Sequence, residues 1–176
     1  YGDVDRQSTR LAHALAALGV QTGQTVVTML DNNVDAVLCW FAINKLCAVS
    51  VPINTALKGE FLRHQIADAG AALVVCEASY AERIAAVSDG LPDVKLVLTR
   101  GEPGDGRCGA LPLAALNGHR GQDDSAFERK PNPWELACLI YTSGTTGPSK
   151  GCMISYNYMC NLARLQLRAG PANEHD

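Results

Sequence analysis

Eleven residues, Tyr141-Thr142-Ser143-Gly144-Thr145-Thr146-Gly147-Pro148-Ser149-Lys150-Gly151, concentrate hydroxyl side chains, three glycines and a single lysine directly after an apolar run. These residue types together suit a polyphosphate. Glycines let the backbone come close and aim N–H groups at anionic oxygens, hydroxyls donate further hydrogen bonds, and a lysine adds a mobile positive charge. ATP is the ligand this chemistry points to. The GxxxxGK[ST] phosphate loop fits poorly, because it needs glycine before the lysine and Ser or Thr after it, whereas Ser149 and Gly151 stand there. The segment after Lys150 also reads as a strand, so the helix N-terminus that such a loop needs is missing. A plain hairpin loop of turn residues is the bland alternative.

Such a loop must be held by the elements around it. Leu136 to Thr142 reads as the strand leading in and Cys152 to Ile154 as a brief strand leading out. A helix with an apolar face of Tyr158, Leu162 and Leu165 follows. Upstream, Leu11, Leu15 and Leu18 predict a helix over about 4–18, closed by Gly19. Thr25 to Leu30 is a strand. Asn32 or Asn33 caps a helix whose Val34, Val37, Leu38 and Phe41 share a face, and Ala48 to Ile53 is the next strand. Phe61, Leu62, Ile66 and Ala69 mark a helix ended by Gly70, before a strand at Ala72 to Cys76. Ser79 and Glu82 form a capping box for a helix carrying Tyr80, Ile84 and Val87, and Val94 to Leu98 is a strand. Strands without polar alternation, separated by helices, imply a parallel α/β sheet covered on both faces. From Arg100 to Pro133 the pattern lapses into a surface excursion, with at most a helical turn near Leu113 to Leu116.

Composition excludes several classes. With 47% hydrophobic and 19% charged residues the chain is globular. Fifteen basic against eighteen acidic side chains, a net charge of −3 and only 6% aromatics disfavour nucleic acid as a partner. The longest membrane candidate, Ala36 to Ile53, is broken by Asn44, Lys45, Ser50 and Pro52, so no transmembrane segment is expected. Cysteines at 39, 47, 76, 108, 138, 152 and 160 form no CxxC pair and read as free, buried thiols, which favours a cytoplasmic location. The four histidines are scattered without metal-ligand spacing. The first residue is Tyr1 rather than Met, so sequence is expected upstream.

The string from Tyr141 to Gly151 resembles, almost letter for letter, the phosphate-binding motif of the adenylate-forming (AMP-binding) enzymes: acyl-CoA synthetases, peptide-synthetase adenylation domains and luciferases. The resemblance covers the whole chain. Val49-Ser50-Val51-Pro52-Ile53-Asn54-Thr55 is similar to the family's AVxVPxNT stretch, and Leu57 to Asp68 looks most like synthetases of the fatty-acyl and carnitine-CoA ligase type. It implies that residues 1–176 are the N-terminal portion of the AMP-binding domain, with that domain's C-terminal part and a small C-terminal domain absent.

The implied reaction joins a small-molecule carboxylate to ATP, giving an acyl-adenylate and pyrophosphate; coenzyme A then displaces AMP. Mg²⁺ is the implied metal. Carried over by position, Thr142, Ser143, Gly144, Thr145, Thr146, Gly147 and Lys150 bind the ATP phosphates, Gly147 with Pro148 shaping the turn, and Thr142 is a candidate magnesium contact. No catalytic residue is implied within these residues, so the piece alone is expected to be inactive. Peripheral membrane association is compatible with the resemblance, and oligomeric state is left open. Two other functions stay open: an amino-acid-activating adenylation domain and an inert nucleotide-binding module. Cys47 stands where the family has glycine, and Tyr156 and Tyr158 where it commonly has His and Asn.

Overall fold

A computed structural model describes residues 1–102, 107–109, 111–119, 121, 123–142 and 148–169. Five helices and eight strands alternate through most of it: α1 (Gly2–Ala17), β1 (Thr25–Met29), α2 (Val34–Lys45), β2 (Val49–Pro52), α3 (Gly59–Asp68), β3 (Ala71–Glu77), α4 (Ala81–Ala85), β4 (Leu96–Arg100), β5 (Arg107–Cys108), β6 (Leu111–Ala115), β7 (Leu136–Thr142), β8 (Lys150–Ser155) and α5 (Tyr156–Ala169). The strands form one sheet in the order β5-β6-β4-β3-β1-β2-β7-β8. β6, β4, β3, β1, β2 and β7 run parallel, and the edge strands β5 and β8 pair antiparallel with their neighbours.

Period-2 alternation divides the apolar strands between two faces. Val26, Leu73, Val75 and Leu98 pack with Leu11 and Leu15 of α1 and Leu38 and Ile43 of α2. Val27, Val49, Val51, Val74 and Val97 pack with Leu62 and Ile66 of α3 and Ile84 of α4. This is the α/β sheet covered on both faces that the unalternating strands predict.

Chain reversals follow helix-end geometry. Gly19, at φ +93°, ends α1: its N–H bonds the Ala16 carbonyl, and the Val20 N–H bonds that of Leu15. The same pair of bonds ends α2, from Cys47 to Asn44 and from Ala48 to Ile43, but here the left-handed position belongs to a cysteine at φ +53°. Cys47 therefore occupies a position whose backbone conformation favours glycine.

Several expectations need correction. Residues 100–133 are not merely an excursion, since β6 pairs parallel with β4 and buries Leu111, and Leu116 opens a 3₁₀ turn with its side chain buried. Ser79 and Glu82 form no capping box: a 3₁₀ turn over Ala78–Tyr80 precedes α4, and no side chain caps either. The buried stripe of α2 is Leu38, Cys39, Ala42 and Ile43, leaving Val34, Val37 and Phe41 exposed. Phe61 is exposed too, as are Tyr158, Leu162 and Leu165 on α5. Cys39, Cys47, Cys76 and Cys138 are buried, but Cys152 and Cys160 are exposed. Among the described residues no helix is long and apolar enough to cross a membrane.

Candidate functional site

β7 delivers the hydroxyl-rich segment to the carboxyl edge of the parallel strands, the edge outside which open α/β sheets bind ligands. The strand pairs with β2 through Ser50 and Cys138, and burial of the Cys138 thiol pushes its pKa up to about 12. Thr142, the last residue of β7, lies opposite Lys150, the first of β8. Both are exposed. The structure thus brings together the two predicted phosphate ligands that flank the loop. Ser143, Gly144, Thr145, Thr146 and Gly147 lie outside the described residues.

Helix α3 fastens both limbs. On the incoming limb, Tyr141 Oη donates to Asp68 Oδ2 at 2.6 Å. Burial first, and then this bond to a carboxylate, raise the Tyr141 phenol above its ordinary range. The space beside its ring is tight at Gly151, its cross-strand partner, where a Cβ would meet Tyr141 Cζ at 3.3 Å. On the outgoing limb, His64 Nε2 lies 3.0 Å from the Ser149 carbonyl, and Gln65 Nε2 donates to Ser149 Oγ at 2.9 Å. None of His64, Gln65, Asp68 or Ser149 carries a role in the sequence-based site. The helical spacing of His64 and Asp68, i and i+4, was the available sign that they share a face.

A second polar cluster occupies the point where the strand order reverses, between β1 and β3. Glu77 accepts from the Asp31 N–H at 3.2 Å and from Asn33 Nδ2 at 2.9 Å on one oxygen, and from Arg100 Nη1 at 3.2 Å on the other. Arg100 Nε reaches Asp35 at 2.7 Å, and Asn33 Oδ1 caps α2 through the Ala36 N–H. The cluster satisfies itself, so it braces the strand ends rather than presenting free donors. A groove of about 460 Å³ between α1, α2 and the 124–131 segment contains none of the loop. Its Lys45 is bonded to Asp5 at 2.6 Å and its Arg129 to Glu135 at 2.7 Å. Lys150, by contrast, is exposed and lies opposite the exposed Thr142.

Sheet and carboxyl-edge loop place the chain in the parallel α/β class. It belongs to the AMP-binding enzyme family, whose model matches residues 1–176, and is thus an adenylate-forming enzyme sequence. Phosphinothricin tripeptide synthetase PhsC of Streptomyces viridochromogenes is 34% identical over 171 residues, covering 93% of this chain and 14% of that protein. 4-Coumarate–CoA ligase 5 of Oryza sativa subsp. japonica is 33% identical over 158 residues, covering 89% and 27%. The crystal structure of the anthranilate CoA ligase AuaEII in complex with anthranoyl-AMP matches with a TM-score of 0.80 and 25% identity, over 92% of this chain and 30% of its own. The chain spans less than a third of each of these proteins.

Proposed function

We propose that the protein carrying this chain is a cytosolic ATP-dependent acid–thiol ligase, and that residues 142–150 grip the ATP phosphates. The observation that carries this is the opposition of Thr142 and Lys150 at the mouth of a glycine- and hydroxyl-rich loop on the carboxyl edge of the sheet. A carboxylate oxygen attacks the α-phosphorus and pyrophosphate leaves; the coenzyme A sulfur then attacks the acyl carbon and AMP leaves. The first step needs chiefly positioning and charge neutralisation, which backbone N–H groups, hydroxyls and an ammonium supply. The exposed Thr142 hydroxyl offers magnesium an oxygen donor of the kind it prefers. Family membership and similarity to CoA ligases support this reading.

The identity to a peptide synthetase favours a second reading, amino-acid adenylation. Trapping with hydroxylamine separates the two. The full-length protein is incubated with ATP, Mg²⁺ and either aromatic and aliphatic carboxylates or amino acids, and thioester formation with coenzyme A is followed in parallel. A ligase gives hydroxamate and CoA thioester from a simple carboxylate. Hydroxamate from an amino acid without thioester supports the second reading, and no hydroxamate from any acid contradicts both.

A further inference from the structure

The β7–β8 hairpin leaves the body of the sheet early. Among the described residues β7 meets β2 at one register pair, Ser50 with Cys138, and from Leu139 to Thr142 its partners belong to β8. A two-stranded ribbon is marginally stable by itself, so the far end of this one needs a hold from outside its own ladder. Leu139 and Tyr141 pack against the core beneath α3, but apolar contact is non-directional. The directional bonds come from α3 itself. Tyr141 Oη donates to Asp68 Oδ2 at 2.6 Å on one limb, and His64 Nε2 meets the Ser149 carbonyl at 3.0 Å on the other. The helix is a firm base for them, because its Leu62 and Ile66 are fully buried. Asp68 also stands where a helix disfavours it: it is the last residue of α3, whose final turn holds no basic side chain, so its carboxylate meets the negative end of the dipole. The phenol hydroxyl of Tyr141 offsets that cost.

We propose that Asp68 is a positioning residue for nucleotide binding, acting through Tyr141: it holds the end of the hairpin, and with it Thr142 and Lys150, at a fixed place relative to the sheet. This rests on the phosphate role of the loop proposed above and gives a function to a helix outside that loop, 73 positions away in the chain. Without the bond the hairpin end takes other directions, and apparent affinity for ATP falls with the fraction of molecules still in the competent arrangement. Bound ATP restores that arrangement. The loss therefore falls on KM for ATP and spares kcat.

The test measures ATP binding to the full-length protein by calorimetry, and pyrophosphate exchange with the acid found by hydroxamate trapping, at a temperature well below every variant's melting transition. Asp68→Ala should weaken ATP binding roughly three- to tenfold, the population cost of one lost hydrogen bond, and raise KM for ATP by a similar factor with kcat unchanged. Asp68→Asn keeps an oxygen acceptor for the phenol and should stay within about twofold of native. Tyr141→Phe should match Asp68→Ala, and the double variant should be no weaker than either. A merely structural bond lowers the melting temperature and leaves ATP affinity alone. Native affinity in folded Asp68→Ala and Tyr141→Phe, or losses that add fully in the double variant, would overturn the proposal. If Lys150→Ala nonetheless loses affinity, the phosphate role of the loop survives that failure. A native protein that binds no ATP, or Lys150→Ala with native affinity, would overturn both.

Discussion

Tyr141 links the loop to its helix by one short bond, and its chemistry sets how that link responds to pH. The raised phenol pKa means that the folded protein favours the neutral form, which donates to Asp68. Its folded value lies above the unfolded value of about 10. The contribution to stability is then fully present below pH ~10 and is lost as pH rises through the folded value. Tyr141→Phe should lower stability by about 1 kcal/mol at pH 8. The difference from native protein should shrink at pH ~11, a comparison that urea unfolding at the two pH values makes directly.

Cys47 poses a different problem, a buried side chain on a left-handed backbone. A β-branched residue there is strained further, so Cys47→Val should cost about 1–2 kcal/mol or more. Cys47→Gly relieves the backbone but loses side-chain burial and adds chain entropy in the unfolded state, so it should stay within roughly 0.5 kcal/mol of native. Chemical denaturation of the two variants checks the ordering. At this scale residue type and spacing single out Thr142 and Lys150 in the sequence, and the two lie opposite each other across β7 and β8. The sequence did not reveal the partners on α3. Asp68, His64 and Gln65 lie 73, 85 and 84 positions from the residues they hold, and no local pattern joins them.

Among elements, long apolar runs were read correctly because they carry their own signal: β1, β3 and β7 need burial on at least one face whatever surrounds them. Residues 100–133 defeated that logic. β6 is short, holds a proline, and is placed by pairing with β4 together with burial of Leu111. The segment docks through Gly109, at φ +65°, where a Cβ would sit 2.4 Å from Ser88 Oγ and 2.9 Å from the Ala85 carbonyl oxygen. Gly109→Ala should therefore destabilise the protein by roughly 2–3 kcal/mol, through positive φ and overlap with backbone together. A melting temperature equal to native would show that the β5–β6 turn does not pack on the end of α4. On α2, helical period alone could not say which of two apolar stripes faces the sheet. The stripe that is buried, Leu38, Cys39, Ala42 and Ile43, packs under α1, a neighbour set by topology.

Across the whole molecule, the face of the sheet formed by β1, β3 and β4 is closed by helices, whereas the β7–β8 end carries exposed apolar groups such as Ile140, Met153, Tyr158 and Leu162. The loop leaves the sheet at that less covered end. We propose that this loop holds ATP phosphates during adenylation. Carboxylate-dependent exchange of labelled pyrophosphate into ATP by full-length protein, native against Lys150→Ala, tests it most directly. Loss of one charge-assisted phosphate contact predicts a fall of roughly ten- to a hundredfold in exchange at unchanged melting temperature. Exchange in Lys150→Ala equal to that of the native protein would contradict it.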